Sequence, residues 1–360
     1  MKSNIKINKK TIIYILSPAK IDTGGPTDSH QLAHILLNEF NKKVFMHYIP
    51  NQFSNPIHKN YKIFKIPVAK EIIDDEKNIL IIPEIFNFIS YSKKYKNIQK
   101  ILWWQSIDNF LKHWFINNNN FFIRALIKTP HKIISFFCSI SSYRLENLTF
   151  FKYLKFIYLD ISKKNIFKIE GIKLNLSHSY YPYKILKSKS VKSIMLTDYI
   201  RDEYFLARKK INIKNKKSLI CYNPSKASKF FKEFIKRNND LIFFPLQNYS
   251  MNKIINILSK SKIYIDFGFH PGKDHLPREA AILKNCIITN MEGSAGIYKD
   301  LPIKDEFKFL ENNTSFKIIR EKINQILENF PYELKKFREY EKFLFNEKKL
   351  FKKCVKKIFT

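Results

Sequence analysis

A chain of 360 residues is about twice the usual domain length, so two domains with a cleft between them are expected, each able to bury a core of its own. Sixty-five Lys and Arg against 31 Asp and Glu give a formal charge of +34, which draws the protein toward phosphate-rich partners: nucleotides, nucleic acid or an anionic membrane surface. Cys138, Cys221, Cys286 and Cys354 are scattered, which excludes a dense disulfide framework or a paired zinc motif and suits a reducing compartment, and no apolar run reaches the length of a membrane span.

The amino end, "MKSNIKINKK" followed by "TIIYILSPA", mimics a secretory leader. The same apolar run leads directly into "IDTGGPTDSH", and so reads as a buried first strand at 11–18 feeding a glycine turn and a helix. That helix is expected over 27–41 with Leu32, Ile35, Leu36 and Phe40 inward, and "KVFMHYIP" follows as the next strand. "NILIIPE" at 78–84 and "KILWWQS" at 100–106 have the length of buried parallel strands. Residues 110–165 are rich in Phe, Tyr, Ile and Lys and fit two readings, a helical insertion packed on the first domain or a basic-aromatic surface resting on a membrane face. A second alternating series begins at "SLICYNPSKASKF" (218–230) and runs through "LIFFPLQN", "KIYIDFGF" and "CIITN". From 315 on, Phe316, Ile319, Ile323, Ile326 and Phe330 mark a helix that Pro331 interrupts, and "ELKKFREYEKFLFNEKKLFKKCVKKIF" continues it with a lysine-rich, solvated face.

Chemistry concentrates after strands. Gly24 and Gly25 lie at a strand-to-helix turn, where bare backbone and helix amides can approach an anion, with Thr27 or Asp28 as cap candidates. Neither the dinucleotide fingerprint nor the P-loop spacing is present. His30 and His34 share a helical face, but Gln31 stands where a zinc-protease motif needs glutamate, so they are read as packing or cleft-lining residues. "IYIDFGFHPGKDHLPREAA" (263–281) is the densest stretch: glycines for a tight loop, then Pro277 in the first turn of a helix. Ligands of open α/β sheets bind beyond the carboxyl ends of the strands, so Lys273 and Arg278 are candidate phosphate contacts and Glu279 a candidate acceptor from sugar hydroxyls. A second glycine loop, "MEGSAG" (291–296), brings Gly293 and Ser294 to the same site. His270 and Asp274 are the candidates for acid/base work.

These motifs resemble a known group. "GGPTDSHQLAHILLNEFNKKVFMHY" is similar to the amino-terminal loop and helix of GT-B glycosyltransferases of the GT4-like kind, and "LPREAAILKNCIITNMEGSAG" to their donor-site helix and glycine loop. "IIPEIF", "WWQSIDNF", "SHSYYPYKIL", "YNP" and "YIDFGFHPGKDHLPREAA" extend the resemblance, over roughly 11–310, to proteins of bacterial capsule and lipopolysaccharide gene clusters. It implies two Rossmann-like domains, an acceptor domain (1–215) and a nucleotide-sugar domain (216–330), followed by a basic helical segment (331–360) that packs back on the first. Glu279 matches the second glutamate of the group's paired-glutamate motif, expected at the donor ribose, whereas Pro271 occupies the first. Retention of anomeric configuration is what the group implies, and Pro271 leaves inversion open. Lys226 or Lys229 falls where the group places basic residues for the diphosphate, and Gly24 and Gly25 match its phosphate loop.

The expectation is therefore a cytoplasmic transferase, peripheral on the inner membrane or free of it, that moves sugar from a nucleotide-sugar to a glycan or lipid-linked acceptor. No metal and no cofactor are expected, because Lys226, Lys273, Arg278 and helix amides can meet the leaving phosphate. Two other classes stay open: a catalytically silent scaffold of the same fold, suggested by Pro271, and a nucleic-acid-binding protein, which would account for charge and aromatics but not for the motifs.

Overall fold

The computed structural model describes residues 5–118, 165–312 and 314–360; most of the basic-aromatic segment 110–165, with both of its readings, lies outside them. The first domain is built on β1 (Ile12–Pro18), β2 (Lys43–Ile49), β3 (Ile79–Pro83), β4 (Gln99–Trp104), β5 (Ile172–Ser177) and β6 (Ser193–Met195). Helices α1 (Gly24–Asn38), α2 (Phe86–Ser92), α3 (Ile107–Asn118) and α4 (Tyr180–Ser188) connect them. The strand order is β2-β1-β3-β4-β5-β6 and every pair is parallel.

Both faces of this sheet are covered, which is why its strands read as unbroken apolar runs. Ile13, Ile15, Ile79, Ile81, Ile101 and Trp103 enter one core with α1, while Tyr14, Leu16, Leu80, Ile82, Leu102 and Trp104 enter another with α2 and α3. Alternation of neighbours between the two cores follows from the two-residue period of a strand. Thr27 and Asp28, considered as helix caps, are inside α1; the helix starts at Gly24 after Thr23. Strands β5 and β6 are not foreseen in the sequence reading.

The helix α5 (Asp202–Arg208) follows the crossover, and its Tyr204 already belongs to the second core, as does Ile200 before it. The second sheet comprises β7 (Lys217–Tyr222), β8 (Ile242–Pro245), β9 (Ser261–Asp266), β10 (Cys286–Asn290) and β11 (Lys308–Phe309), in the order β11-β10-β9-β7-β8, again all parallel. Helices α6 (Lys229–Arg237), α7 (Met251–Lys260) and α8 (His275–Ile282) alternate with these strands. The chain ends in α9 (Ser315–Glu328), α10 (Phe330–Lys335), with Pro331 in its first turn, and α11 (Arg338–Phe359). Two Rossmann-like α/β domains with a cleft between them are thus present, with a long helical carboxyl end.

The last helix binds the two halves together. Tyr340 and Leu344 on α11 pack into the second core, and Phe351, Val355, Ile358 and Phe359 pack into the first, where Phe351 lies 5.2 Å from the Tyr199 ring. The spacing of three and four residues puts all of them on one face, so a single amphipathic stripe serves both domains. Among the described residues, no helix is long and apolar enough to cross a membrane. Truncating Phe351 should remove a fully buried ring from this shared stripe: Phe351→Ala is expected to cost about 3–5 kcal/mol in denaturant unfolding, whereas exposed Leu350→Ala should stay within about 0.5 kcal/mol.

Candidate functional site

A cleft of about 910 Å³ separates the domains at the carboxyl ends of both sheets. From the first domain come the start of α1 (Gly24, Gly25), the end of β3 (Glu84) and α3 (Asn109, His113); from the second come Lys226, Tyr249, Lys273, Asp274, His275 and Glu279. Crossing strand ends leave helix N-termini and loops pointing into such a crevice, which is where open α/β sheets hold ligands.

Lys226 stands in the loop after β7, just ahead of Ser228, whose hydroxyl caps α6 by accepting from the Phe231 amide at 3.1 Å. Its ammonium lies 2.6 Å from Asp274 Oδ1, and its side chain keeps 32% exposure to the cleft. Asp274 is fixed from the other side by His270, whose Nδ1 is 3.0 Å from Oδ2. Burial opposes ionisation of Asp274, but Lys226 and His270 outweigh it and hold the carboxyl well below its usual range. Burial likewise disfavours a charged His270, and Asp266 and Asp274 reverse that and raise it. His270 is 2% exposed, lies behind the cleft wall and orients the loop. Gly293 and Ser294 are behind it too: the Ser294 amide donates to the His270 carbonyl at 2.9 Å, and Gly293, at φ +58°, passes so close to that carbonyl that a Cβ would collide with it. A Cβ at Gly272 would strike the Gln105 carbonyl of the first domain, so this glycine permits the close approach of the two walls.

Glu279 lines the cleft on the first turns of α8, and burial shifts it upward against the opposing pull of His275. Glu84 faces it from the first domain, accepting the Gln105 and Ser106 amides at 2.8 and 2.6 Å. Gly24, Gly25, Lys226, Lys273, Asp274 and Glu279 therefore share one cavity wall or another, while His270, Arg278, Gly293 and Ser294 support it from behind.

Arg278 is the residue whose surroundings differ most from the sequence expectation. It is 1% exposed and is held by carboxylates: Nη1 donates to both Glu347 oxygens at 3.1 Å, and Nη2 to Asp198. Lys273 joins them, 2.8 Å from Glu347, 3.1 Å from Asp198 and 2.7 Å from the Thr197 hydroxyl. On the cleft side, His275 Nε2 is 3.0 Å from Asp28, and His178 Nε2 is 3.2 Å from Asp28 and 3.3 Å from Asp198. The His178 contacts have ion-pair distance without hydrogen-bond alignment, so charge attraction carries them. Burial pushes His178 down, but Asp198 and Asp28 prevail and lift it to about 9. Asp28, Asp198 and His178 come from the first domain and the crossover, Lys273, His275 and Arg278 from the second, and Glu347 from α11. A second bridge is Asp300, which accepts the Tyr180 and Tyr181 amides at the start of α4 at 2.7 and 2.9 Å.

Among the described residues, two clusters have the spacing of metal ligands, Asp28–Asp198–His275 and Asp266–His270–Asp274. In each, protein cations already sit against the carboxylates, Lys273 and Arg278 in the first and Lys226 in the second. His30 is packed, with Nδ1 2.6 Å from the Pro26 carbonyl and Nε2 2.8 Å from the Tyr48 hydroxyl, and burial lowers it to about 4. Sequence reading missed Asp28 as a charge partner and gave no role to His178, Asp198, Arg201 or Glu347. Glu347 alone leaves a trace, an acid within the apolar stripe of α11.

Comparison with known proteins adds the architecture. No family profile and no curated protein matches the chain. Among solved structures it is similar to sucrose-phosphate synthase from Thermosynechococcus elongatus, at 11% identity over 98% of this chain and 95% of that one, with a TM-score of 0.51. The fold is GT-B. An alpha-glucosyltransferase in complex with UDP and a 13-mer DNA containing a HMU base is similar at 12% identity over 95% and 99% of the two chains, TM-score 0.50. Anabaena Alr3699/HepE in complex with UDP-glucose aligns at 9% identity over 96% and 98%, TM-score 0.48. At these identities the first two likenesses speak for the GT-B fold alone.

Two predictions follow from the charges. Arg278→Ala leaves Asp198 and Glu347 buried without their main counter-charge and should lower stability by about 3–5 kcal/mol in urea unfolding; Lys226→Ala, partly exposed, should cost far less. Folding strengthens the hold of His178 on its proton, so its stabilisation is complete below about pH 6.5 and fades as pH rises through about 9. The melting temperature should therefore decline over that window, with a flatter decline in His178→Gln.

Proposed function

We propose that this protein is a glycosyltransferase that moves a sugar from a nucleotide-sugar donor to a glycan or lipid-linked glycan acceptor in bacterial surface-polysaccharide synthesis. The observation that carries the proposal is the juxtaposition, across one cleft, of the glycine-opened start of α1 with Lys226 and Glu279 of the second domain. The sequence resemblance and the sugar-transferring GT-B neighbours support the same reading; the alpha-glucosyltransferase among them is bound to UDP.

In this reading the ribose hydroxyls donate to Glu279 and the diphosphate meets Lys226 together with the free amides of α1's first turn. A helix start leaves its first amides without a partner inside the helix; because Pro26 has no N–H and the Thr27 amide donates to the Thr23 carbonyl, Gly24 and Gly25 supply them here, and they favour negative charge. Lys226 is held at the cleft by Asp274 and can turn from it to a phosphate oxygen, stabilising the leaving group as the glycosidic bond breaks. Transfer is proposed to need no metal, because these groups meet the developing charge. Arg278 and Lys273 then act by fixing the wall, not by touching phosphate. Of the two acid/base candidates Asp274 reaches the cleft; Lys226 and His270 hold it ionised, so it can act only as a proton acceptor, and His270 positions it. The acceptor is assigned to the first-domain wall around Glu84, Asn109 and His113. Retention of configuration stays the family's implication, and cytoplasmic action with peripheral contact to an anionic membrane is part of the proposal. Nucleic acid is not proposed as a partner.

A silent scaffold of the same fold is the second reading, favoured by Pro271 where the resembling enzymes carry the first glutamate. Thermal denaturation in the presence of UDP, GDP, CMP, dTDP and ADP distinguishes these possibilities from a non-nucleotide cleft. A selective rise with one nucleotide, lost in Glu279→Ala, is expected, with sugar transfer from the corresponding nucleotide-sugar; binding without transfer to any acceptor favours the scaffold. No rise with any nucleotide contradicts both.

A further inference from the structure

Arg201 belongs to no motif in the sequence and lies in the short crossover between β6 and α5, yet its side chain lines the cleft. The guanidinium is 14% exposed and unevenly satisfied. Nη2 donates to the Thr27 hydroxyl at 2.7 Å and to Asp22 Oδ1 at 3.2 Å. Nη1 meets only the Met251 sulfur, at 3.6 Å, and Nε has no acceptor among the described residues. Tyr61 lies beneath, its ring centre 5.7 Å from the guanidinium carbon. Neutral sulfur and ring faces do not satisfy a guanidinium as oxygen anions do. A largely buried cation with two donor sites left without oxygen, at a cavity wall, is prepared for an anion from outside.

We propose that Arg201 is a phosphate ligand of the nucleotide, supplied from the interdomain crossover; this rests on reading the cleft as a nucleotide-sugar site. Lys226 contributes a point charge from the second domain, and Arg201 contributes a planar fork that fits two phosphate oxygens. Its remaining contacts place it between Thr27 of the first domain and Met251 of the second, so a phosphate bound there ties the domains together. Asp22, 28% exposed on its side chain, accepts from Nη2 alone and leaves the rest of the fork to be met.

Calorimetric titration with UDP and GDP, each beside its own nucleoside, and with inorganic pyrophosphate tests the assignment. Arg201→Ala is expected to weaken the bound diphosphate and pyrophosphate about 10- to 100-fold while the nucleoside changes by less than about threefold. Arg201→Lys, which keeps charge and loses the fork, should fall between, and ligand-free melting curves verify that both variants are folded. Equal losses for diphosphate and nucleoside, or no loss for either, overturn the assignment alone. Wild-type protein that binds neither diphosphates nor pyrophosphate overturns the nucleotide reading and the assignment with it.

Discussion

Everything in the cleft depends on a buried ionic knot centred on Arg278. Its guanidinium joins α8 to Asp198 on the crossover and to Glu347 in the middle of α11, and Lys273 reinforces both contacts. Three segments distant in sequence are thereby fixed at one point, and the loop that bears His270 and Asp274 ends on it. A buried pair gains little net stability over an apolar replacement, but loss of one partner is severe, because it leaves the other charge buried and uncompensated. Asp28 and His275 extend it across the domain boundary, and Gly272 allows the close approach that the knot enforces.

Charge is sorted by depth at this site. The innermost cations, Arg278 and Lys273, are committed to carboxylates, whereas Lys226 and Arg201, nearer the opening, are held by acids that keep some exposure, Asp274 at 19% and Asp22 at 28%. A cation is exchangeable when its partner can be rehydrated, and the outer pairs meet that condition. The high overall charge, by contrast, says little about the cleft: much of it lies on solvated lysines such as those along α11.

The fold was legible where burial dictates composition. β1, β3, β4, β9 and β10 are covered on both faces and so appear as short apolar runs, and α1 shows the spacing of an inward stripe. β5 was not legible because Lys173, Asn175 and Ser177 break the apolar run, leaving Leu174 and Leu176 in one core and Ile172 against the other; β6 is three residues long. At the site, Gly24, Gly25, Lys226 and Glu279 could be picked out because each follows a strand end, a relation local in sequence. The role of Arg278 could not, since its partners Glu347 and Asp198 lie 69 and 80 residues away, and a basic residue at a helix start looks the same whether it faces phosphate or a buried carboxylate.

The most direct measurement is a crystal structure of the protein grown with the nucleoside diphosphate that stabilises it. The account predicts phosphates between the first turn of α1 and Lys226, ribose against Glu279, and Arg278 still bound to Asp198 and Glu347. A nucleotide seated on Arg278 with those ion pairs broken, or seated outside the cleft, would contradict it.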